Sequence, residues 1–307
     1  ESAYYLSVNR NKLSLAADLA DPRDVDLLRR LIAGADVVVD NFRPGALERR
    51  GLSPDALAAE HPALVWCTIT GFGPESDRPG YDFVVQAECG WMAITGEPDG
   101  DPTKVGVALA DVLAGKDAAI AILGALVARG RTGRGRRLHV SLAASAAAAL
   151  VNVAQNALVT ERDASRWGNA HPNLVPYQLF RAADRPFVIA VGSDAQWRAL
   201  VAALALPELA DDRTLDTNAG RLAARDRVSR AIAARVATAP VATWRARLDA
   251  AGVPAGEVRG VLDAVRAARG DALTGMPPSV PGTVRRPPPR LDEHGAAVRA
   301  RGWGAFA

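Results

Sequence analysis

The sequence predicts an α/β protein, in which a parallel sheet covered by helices is followed by a smaller α+β domain. In the first part of the chain, short apolar β-branched runs alternate with helical patterns, and this alternation is typical of parallel strands. A polar, proline-punctuated stretch near Trp167 then separates this part from a second set of elements. The chain has 307 residues, enough for one large domain or two of ordinary size.

The elements of the first part are predicted from the signals at their ends. A helix is expected over 22–34, because Pro22 suits its first turn and Gly34 suits its end. A short buried strand in ADVVVDNF follows, then a helix in SPDALAAEHP with Ser53 as its N-cap, then a buried strand in ALVWCTITGFG. The opening run AYYLSV is also predicted as a strand.

The middle of the chain contains a candidate wall of a functional site, followed by further strands and helices. Residues 72–104 are rich in Gly, Pro and Asp, and they predict a long ordered loop that forms one wall of a site. The next segment predicts a strand, a turn at Ala110 and Asp111, and a long apolar helix ending near Gly130. A strand in RRLHVSLAAS and an Ala-rich helix to about Ala164 complete a larger domain at 1–165.

The remaining residues predict a smaller domain and a C-terminal segment. GNAHPNLVPYQLF suits a linker, PFVIAVGSDAQW opens a small α+β unit, and AGVPAGEV ends it. We place this domain and its linker at 166–270. A proline-rich connector from Met276 and a terminal helix in DEHGAAVRARGWG lie in the last segment, 271–307.

Composition and charge narrow the classes of function. The net charge is only +3 and the arginines are not clustered with aromatic residues, so no nucleic-acid partner is expected. Nothing reads as a signal peptide or a membrane span, so we expect a cytoplasmic protein with no membrane partner. Cys67 and Cys89 lie in apolar runs and are expected to be reduced and buried. No Cys or His spacing suggests a metal site.

Asp111 is the residue most suggestive of chemistry. A carboxylate at a strand-to-helix turn lies near amide donors and the positive end of the helix dipole. The alternative is an ordinary N-cap, since Asp is among the commonest caps. Tyr81 and Asp82 form a second cluster, in which Tyr81 either anchors packing or donates a hydrogen bond to a reacting carbonyl.

Polar residues also follow the predicted strand ADVVVD. Asn41, Phe42 and Arg43 would lie at the carboxyl end of a parallel strand, where open α/β sheets bind ligands. Arg49 would either pair with a phosphate or lie on a solvated helix face. The basic run at 129–137 is interpreted as a solvated loop, with an anionic ligand such as a nucleotide phosphate as the alternative. Dinucleotide, Walker, nucleophile-elbow and zinc-protease motifs are absent.

Taken together, eight stretches resemble the class III CoA-transferases of the CaiB/BaiF type, which include formyl-CoA and carnitine-CoA transferases and α-methylacyl-CoA racemases. They follow the family's order over nearly the whole chain. The stretches are SVNRNKLSLAADL, ADVVVDNFRPGALERRGL, TITGFG, RPGYDFVVQAECGWMAITGEPDG, KVGVALADVLAGKDAAIAILGAL, RTGRGRRLHVSL, GNAHPNLVPYQLF and VGSDAQW.

The resemblance implies an acyl-CoA:carboxylate CoA-transferase with Asp111 as the catalytic carboxylate. CoA would move from an acyl-CoA, such as succinyl-CoA, to an acceptor carboxylic acid through an aspartyl anhydride and an aspartyl-CoA thioester. CoA is then a substrate, and no tightly bound cofactor is expected. The implied CoA-binding and thioester-lining residues are Ala17, Asp18, Leu19, Ala20, Asn41, Phe42, Arg43, Arg49, Arg78 and Tyr81.

The family resemblance also implies an architecture. It predicts a Rossmann-like large domain built from both chain ends, a smaller domain reached by linkers, and an interlocked homodimer. Family members normally begin with roughly sixty further residues, a large share of a typical domain of about 100–150 residues. We therefore expect the N-terminal part of the larger domain to be missing from this chain.

Two other functions remain open at this point. A racemase of this family pairs its aspartate with a histidine at the position of Tyr81, and a Tyr with an ordinary pKa of about 10 is a poor base. The second alternative is a non-catalytic CoA-binding relative. This chain also has Ala143 and Ala144 where the family often has an acidic residue, and it lacks an obvious counterpart of the Gly-rich loop of formyl-CoA transferases.

Overall fold

The computed structural model describes residues 2–272 and 275–306. Residues 1, 273, 274 and 307, which fall within the predicted domain bounds, lie outside the described residues. The chain divides into two compact units. The larger comprises 1–95, 102–164 and 265–307, and the smaller comprises 96–101 and 165–264.

The larger unit contains a parallel sheet and the helices around it. Its elements, in chain order, are α1 (Ala3–Val8), α2 (Pro22–Ala33), β1 (Val37–Asp40), α3 (Pro54–Glu60), β2 (Val65–Thr70), α4 (Asp82–Glu88), α5 (Trp91–Ile94), α6 (Leu109–Thr132), β3 (Arg137–Ser141), α7 (Leu142–Ala148), α8 (Asn152–Thr160) and, in the last segment of the chain, α15 (Gly295–Arg301). Short 3₁₀ turns cover Glu48–Arg50 and Gly302–Phe306.

The three strands lie in the order β1-β2-β3, and both neighbouring pairs are parallel. Their carboxyl ends, at Asp40, Thr70 and Ser141, therefore meet at one edge of the sheet. Trp66 and Ile69 of β2 belong to different apolar clusters, because residues an odd number apart point to opposite faces of a strand. The predicted α/β class with a parallel sheet is confirmed.

Several predicted elements are confirmed with their end signals. Helix α2 begins at Pro22, its N-cap Asp21 accepts from the Arg23 N–H, and Gly34 follows its last residue. Ser53 caps α3 as predicted, accepting from the Ala56 N–H. Strands β1, β2 and β3 lie within the predicted runs, and α15 lies within the predicted terminal helix.

The opening run is a helix and the prediction of a strand there was wrong. Ser2 Oγ accepts from the Tyr5 N–H at 3.1 Å and caps α1. Tyr and Val favour strands only where a neighbouring strand pairs with them and their side chains are half buried. None of the residues of α1 is buried, and no described strand pairs with it.

The prediction of a long ordered loop over 72–104 was wrong in its secondary structure, since α4 and α5 lie within this segment. The strand predicted before Asp111 does not form either, and α6 instead begins at Leu109. The reason is that backbone groups of this run hydrogen bond to the side chain of Gln86 and not to a neighbouring strand. Gln86 Oε1 accepts from the Val105 N–H at 2.8 Å, and Gln86 Nε2 lies 3.4 Å from the Val107 carbonyl oxygen.

The single helix predicted to about Ala164 is broken into α7 and α8, which meet at 75°. Val151, at the break, has a φ of +46°, a backbone conformation that interrupts a right-handed helix. No single helix among 2–272 and 275–306 is long and apolar enough to cross a membrane, although this bent pair passes the same test of length and composition.

The basic run at 129–137 contributes to packing at two positions. Arg129 forms an ion pair with Asp36 at 2.8 Å, and Arg137 forms one with Asp55 at 2.9 Å. These contacts fit neither a wholly solvated loop nor an anion site, because both guanidinium groups have carboxylate partners within the larger unit.

The smaller unit is an antiparallel sheet, in the order β4-β5-β6, packed with helices. Strand β4 begins within the stretch predicted as a linker, 168–180, and ends one residue after it. The core of this unit is one continuous apolar cluster that includes Phe187, Trp197 and Trp244. Its elements are β4 (Tyr177–Arg181), β5 (Pro186–Ala190), α9 (Asp194–Leu204), α10 (Pro207–Ala210), a 3₁₀ turn (Arg213–Asp216), α11 (Asn218–Ala223), α12 (Arg225–Val236), α13 (Val241–Ala250) and β6 (Ala255–Glu257); α14 (Val261–Ala267) contains the division between the units.

Candidate active site

A cavity of about 590 Å³ lies at the carboxyl edge of the parallel sheet in the larger unit. Segments that follow all three strands contribute to its wall, as ligand sites in open α/β sheets lead one to expect. The residues that line it are Tyr4, Val39, Asp40, Asn41, Phe42, Arg43, Pro44, Ile69, Thr70, Gly71, Ser76, Asp77, Arg78, Pro79, Gly80, Tyr81, Asp111, Gly115 and Leu142.

Asp111 lies in the first turn of α6, on the wall of this cavity. The residue before it, Ala110, is fully buried, so the backbone that carries Asp111 is fixed in the apolar cluster between α4, α6 and α7. Gly115, one turn further along α6, also lines the cavity, and a Cβ added there would meet no atom within 4 Å. The absence of a side chain at 115 leaves open space beside the carboxylate.

The carboxylate of Asp111 has an unusual environment for an exposed aspartate. Partial burial by the surrounding protein raises its pKa above the ordinary Asp value, and the negative charge of Asp82 raises it further. None of the described residues forms an ion pair with it. The result is a carboxylate that is more basic than usual, accessible from the cavity and without a neutralising partner.

The N-terminus of α6 is capped by a side chain from α4. Ala108 at the N-cap position has no side-chain acceptor, but Asp82 Oδ1 accepts from the Ala110 N–H at 2.8 Å. The other oxygen of Asp82 accepts from Gln86 Nε2 at 2.6 Å. The start of the helix that carries Asp111 is therefore held by a residue 28 positions earlier in the chain.

Tyr81 is brought over the cavity by a contact between two glycines. A Cβ on Gly80 would lie 2.1 Å from the Gly71 Cα, and a Cβ on Gly71 would lie 2.3 Å from the Gly80 Cα. The two ends of the single connection between β2 and α4 thus meet backbone to backbone, which only glycine permits at both positions. The Tyr81 side chain is 72% exposed, so it is available to a ligand.

Asp40, the last residue of β1, holds the segment that follows this strand. Its Oδ2 accepts from Trp66 Nε1 and Thr68 Oγ1, both at 2.7 Å, and its Oδ1 accepts from the Phe42 N–H at 3.1 Å. Two of these bonds come from β2 and one from the segment itself, and Asn41, Phe42 and Arg43 line the cavity wall.

Arg43 and Arg78 both line the cavity, but they differ in their ion-pair partners. Arg43 is exposed, and none of the ion pairs within 2–272 and 275–306 includes it. Arg78 instead pairs with Glu88 at 2.5 Å and stacks over the Phe72 ring at 4.1 Å. The Arg78 guanidinium is therefore held in place, while Arg43 is free to pair with an anionic ligand.

The structure brings together six of the predicted site residues and leaves the others elsewhere. Asp111, Asn41, Phe42, Arg43, Arg78 and Tyr81 all line the cavity.

The stretch 17–20 does not line the cavity. Asp18 and Ala20 are joined by an Asp18 Oδ1 to Ala20 N–H hydrogen bond at 2.8 Å, and Leu19 packs against the cluster around Leu57. Arg49 also lies off the cavity wall, where its Nη1 covers Gly45 at 3.0 Å from an added Cβ.

Sequence reasoning assigned no role to several residues that shape this site. Asp40 ends a predicted strand, so its position at the sheet edge could be predicted from the sequence. The three groups that donate hydrogen bonds to it could not. The pairing of Gly71 with Gly80 and the reach of Gln86 to residue 105 depend on contacts between distant segments, for which a single sequence has no signal.

Comparisons with known proteins agree with this arrangement. The chain matches CoA-transferase family III over residues 1–295. It is 40% identical over 266 residues to the succinyl-CoA:glutarate CoA-transferase of Mus musculus, which covers 86% of this chain and 61% of that protein. It is 37% identical to the succinate–glutarate CoA-transferase of Agrobacterium fabrum, covering 97% of this chain and 80% of that protein.

A solved structure gives the same result. The crystal structure of a CAIB/BAIF family protein from Brucella suis matches with a TM-score of 0.88 and 38% identity, covering 98% of this chain and 84% of that chain. The chain therefore belongs to CoA-transferase family III, and the predicted family is confirmed. It spans less than two thirds of the length of the mouse relative.

Proposed function

We propose that this protein transfers CoA from an acyl-CoA to a carboxylic acid, with Asp111 as the nucleophile. The observation that carries the proposal is an accessible carboxylate of raised pKa, without an ion-pair partner among the described residues, on the wall of a cavity at a parallel sheet edge. A more basic carboxylate is a stronger nucleophile once it is ionised. The relatives named above are CoA-transferases.

The first half of the reaction removes CoA from the donor. An Asp111 oxygen attacks the thioester carbonyl, the C–S bond breaks, and CoA leaves as a thiolate, which gives an acyl-aspartyl anhydride. The thiolate then attacks the Asp111 carbonyl, which releases the donor acid and leaves an aspartyl-CoA thioester. The second half repeats these steps in reverse with the acceptor acid and restores the Asp111 carboxylate.

The larger unit provides the groups that this sequence of steps requires. We propose that it forms the CoA-binding domain, and that Asn41, Phe42 and Arg43 contact CoA, with Arg43 pairing a phosphate. Tyr81 and Arg78 would line the thioester region. The assignment of 17–20 and Arg49 to CoA binding stays a prediction, since these residues lie outside the cavity wall.

We propose a dicarboxylic donor of the succinyl-CoA kind. The names of the mouse and Agrobacterium relatives include succinyl-CoA or succinate together with glutarate.

A racemase finds less support in this cavity. Inversion at the carbon next to the thioester requires an acid and a base on opposite faces. The described residues that line the cavity include no histidine, and Tyr81 stands where the racemases have one.

Two further features are proposals. We propose a homodimer, because α6 exposes an apolar stripe of Ile120, Leu123 and Val127, whose side chains are at least 62% exposed. We also propose a cytoplasmic location, since Cys67 and Cys89 are free thiols, as is usual in a reducing compartment.

The test is covalent trapping. The protein is incubated with a panel of acyl-CoAs, treated with hydroxylamine or borohydride, and mapped by mass spectrometry. We expect a modification at Asp111 with the true donor, and none in Asp111→Asn, whose amide is not a nucleophile. The rate of CoA exchange should fall by roughly 10⁴-fold or more in that variant.

The matched control is Asp117→Asn, on the same helix but hydrogen bonded to Ser145 outside the cavity. It should keep the label. A folded protein that binds CoA but is never modified by any donor would contradict the transferase proposal. Exchange of the α-hydrogen of the acyl group in deuterated water would then identify a racemase.

A further inference from the structure

Gln86 has no place on the cavity wall, yet its amide is at the centre of the contacts that hold Asp111. The side chain is fully buried, and its Oε1 accepts from the Val105 N–H at 2.8 Å. Its Nε2 donates to Asp82 Oδ2 at 2.6 Å and lies 3.4 Å from the Val107 carbonyl oxygen. A buried amide in contact with these three partners has a single orientation, because the N–H group of Val105 needs an oxygen and the Asp82 carboxylate needs an N–H donor.

The second link is between Asp82 and the start of α6. Asp82 accepts from Gln86 with one oxygen and from the Ala110 N–H with the other, so its carboxylate is held at both ends. Ala108 at the N-cap position provides no side-chain acceptor of its own. The first turn of α6 therefore depends on Asp82 for its cap, and the position of Asp82 depends on Gln86.

We infer that Gln86 is a positioning residue, which acts through Asp82 to fix the first turn of α6 and thereby the direction of the Asp111 carboxylate. The inference rests on the proposed function, because it concerns how Asp111 is presented to an acyl-CoA. Nucleophilic attack needs the reacting atoms aligned at about 3–3.5 Å, and a displacement of about 1 Å can cost about 100-fold in rate. Gln86 reaches the reaction only through this chain of two hydrogen bonds.

The experiment compares Gln86→Met, which keeps the volume but removes all the hydrogen bonds, with Gln155→Met, the same change on the exposed surface of α8. Amide hydrogen exchange at Ala110, followed by NMR, measures the cap directly. We expect it to speed up roughly tenfold in Gln86→Met, the effect of losing a typical cap. The rate of Asp111 modification should fall roughly 10- to 100-fold. KM for acyl-CoA should stay unchanged, because Gln86 does not line the cavity.

A double-mutant cycle with Asp82→Asn tests whether Gln86 affects Asp111 through Asp82. If Gln86 acts through Asp82, the double variant loses no more than the more damaging single variant, whereas independent effects add. Additive losses would overturn the inference, and so would unchanged Ala110 exchange and labelling rate in Gln86→Met. A general loss of folding would raise exchange throughout the larger unit rather than at the start of α6.

Two further measures keep the result interpretable. If Gln86→Met unfolds at the assay temperature, Gln86→Glu keeps the volume and the acceptor for Val105 while replacing the donor to Asp82 by an anionic oxygen, and it should show the same losses. If the unaltered protein is never labelled by an acyl-CoA, the proposed function fails. Ala110 exchange still decides whether Gln86 and Asp82 form the cap, because that readout needs no substrate.

Discussion

Helices α6 and α9 each have an aspartate in the first turn, and the two aspartates differ in their ion-pair partners. In the smaller unit, Ser193 caps α9 from within its own segment, and Asp194 pairs at 2.9 Å with Arg221, whose side chain is only 1% exposed. In the larger unit, α6 receives its cap from Asp82, and Asp111 has no ion-pair partner among the described residues.

The difference shows what separates a structural carboxylate from one available for chemistry. Arg221 also donates to the carbonyl oxygens of Val175 and Leu215, so the Asp194 charge completes a buried set of contacts. Asp111 faces a cavity instead, and its partial burial, followed by the negative charge of Asp82, raises its pKa. Under the proposed function, Asp111 is available for reaction because none of the described residues forms an ion pair with it.

The largest expected effects come from removing the carboxylate charge of Asp111 in one variant and that of Asp194 in another. Asp111→Asn should abolish covalent labelling while leaving the protein folded. Asp194→Asn should keep labelling of Asp111 but lower the free energy of unfolding of the smaller unit by about 1–3 kcal/mol, because a buried guanidinium loses its anionic partner. Urea unfolding together with mass mapping measures both. Loss of labelling in a folded Asp194→Asn protein would break the comparison.

The next effect tests how far the α6 site depends on contacts between segments, whereas α9 is capped locally. Gly80→Ala places a Cβ 2.1 Å from the Gly71 Cα, so the backbones must separate and Tyr81 must move. We expect a loss of about 1–3 kcal/mol, the usual cost of overpacking. Slower labelling of Asp111 should accompany it. Urea unfolding and the trapping assay provide the two measurements.

Gly124→Ala is the control for that change. Gly124 lies within α6, and an added Cβ meets no atom within 4 Å. Replacing a helical glycine there should raise stability by up to about 1 kcal/mol. Equal stability of Gly80→Ala and Gly124→Ala would show that the connection between β2 and α4 does not depend on the close contact of Gly71 with Gly80.

The same contrast explains how much was predictable from the sequence. Local signals located α2, α3 and the parallel strands, because caps, prolines and apolar periodicity depend on neighbouring residues. The position of Asp111 near a helix start was readable for the same reason.

Elements that depend on distant contacts were not predictable in this way. The apolar run before Asp111 resembles a strand, but its hydrogen bonds go to the Gln86 side chain rather than to a neighbouring strand. The α4 and α5 helices are short and flanked by Gly and Pro, so composition alone favoured a loop. Local patterns do not contain tertiary partners, and these partners decide the structure of the cavity wall.

The smallest effect is the dependence of stability on pH, and it should have opposite signs for two aspartates. The raised pKa of Asp111 means that the native state binds this proton more tightly than the unfolded chain. Its ionisation therefore lowers stability as pH rises from the ordinary Asp value, about 3.9, through the raised native value. Asp111→Asn should be more stable than the unaltered protein at neutral pH, and this advantage should disappear below about pH 3.9.

Asp212 in the smaller unit provides the opposite case. Hydrogen bonds from Thr214 and then from Arg227 lower its pKa to about 2. Its contribution to stability is therefore present above about pH 3.9 and is lost as pH falls toward 2, so Asp212→Asn should be destabilised at neutral pH. Amide hydrogen exchange resolved by peptide, measured from acid to neutral pH, follows each unit separately. The same sign of effect for both variants would show that the charge at Asp111 is stabilised in the fold after all, and would remove the physical basis for treating it as the reactive carboxylate.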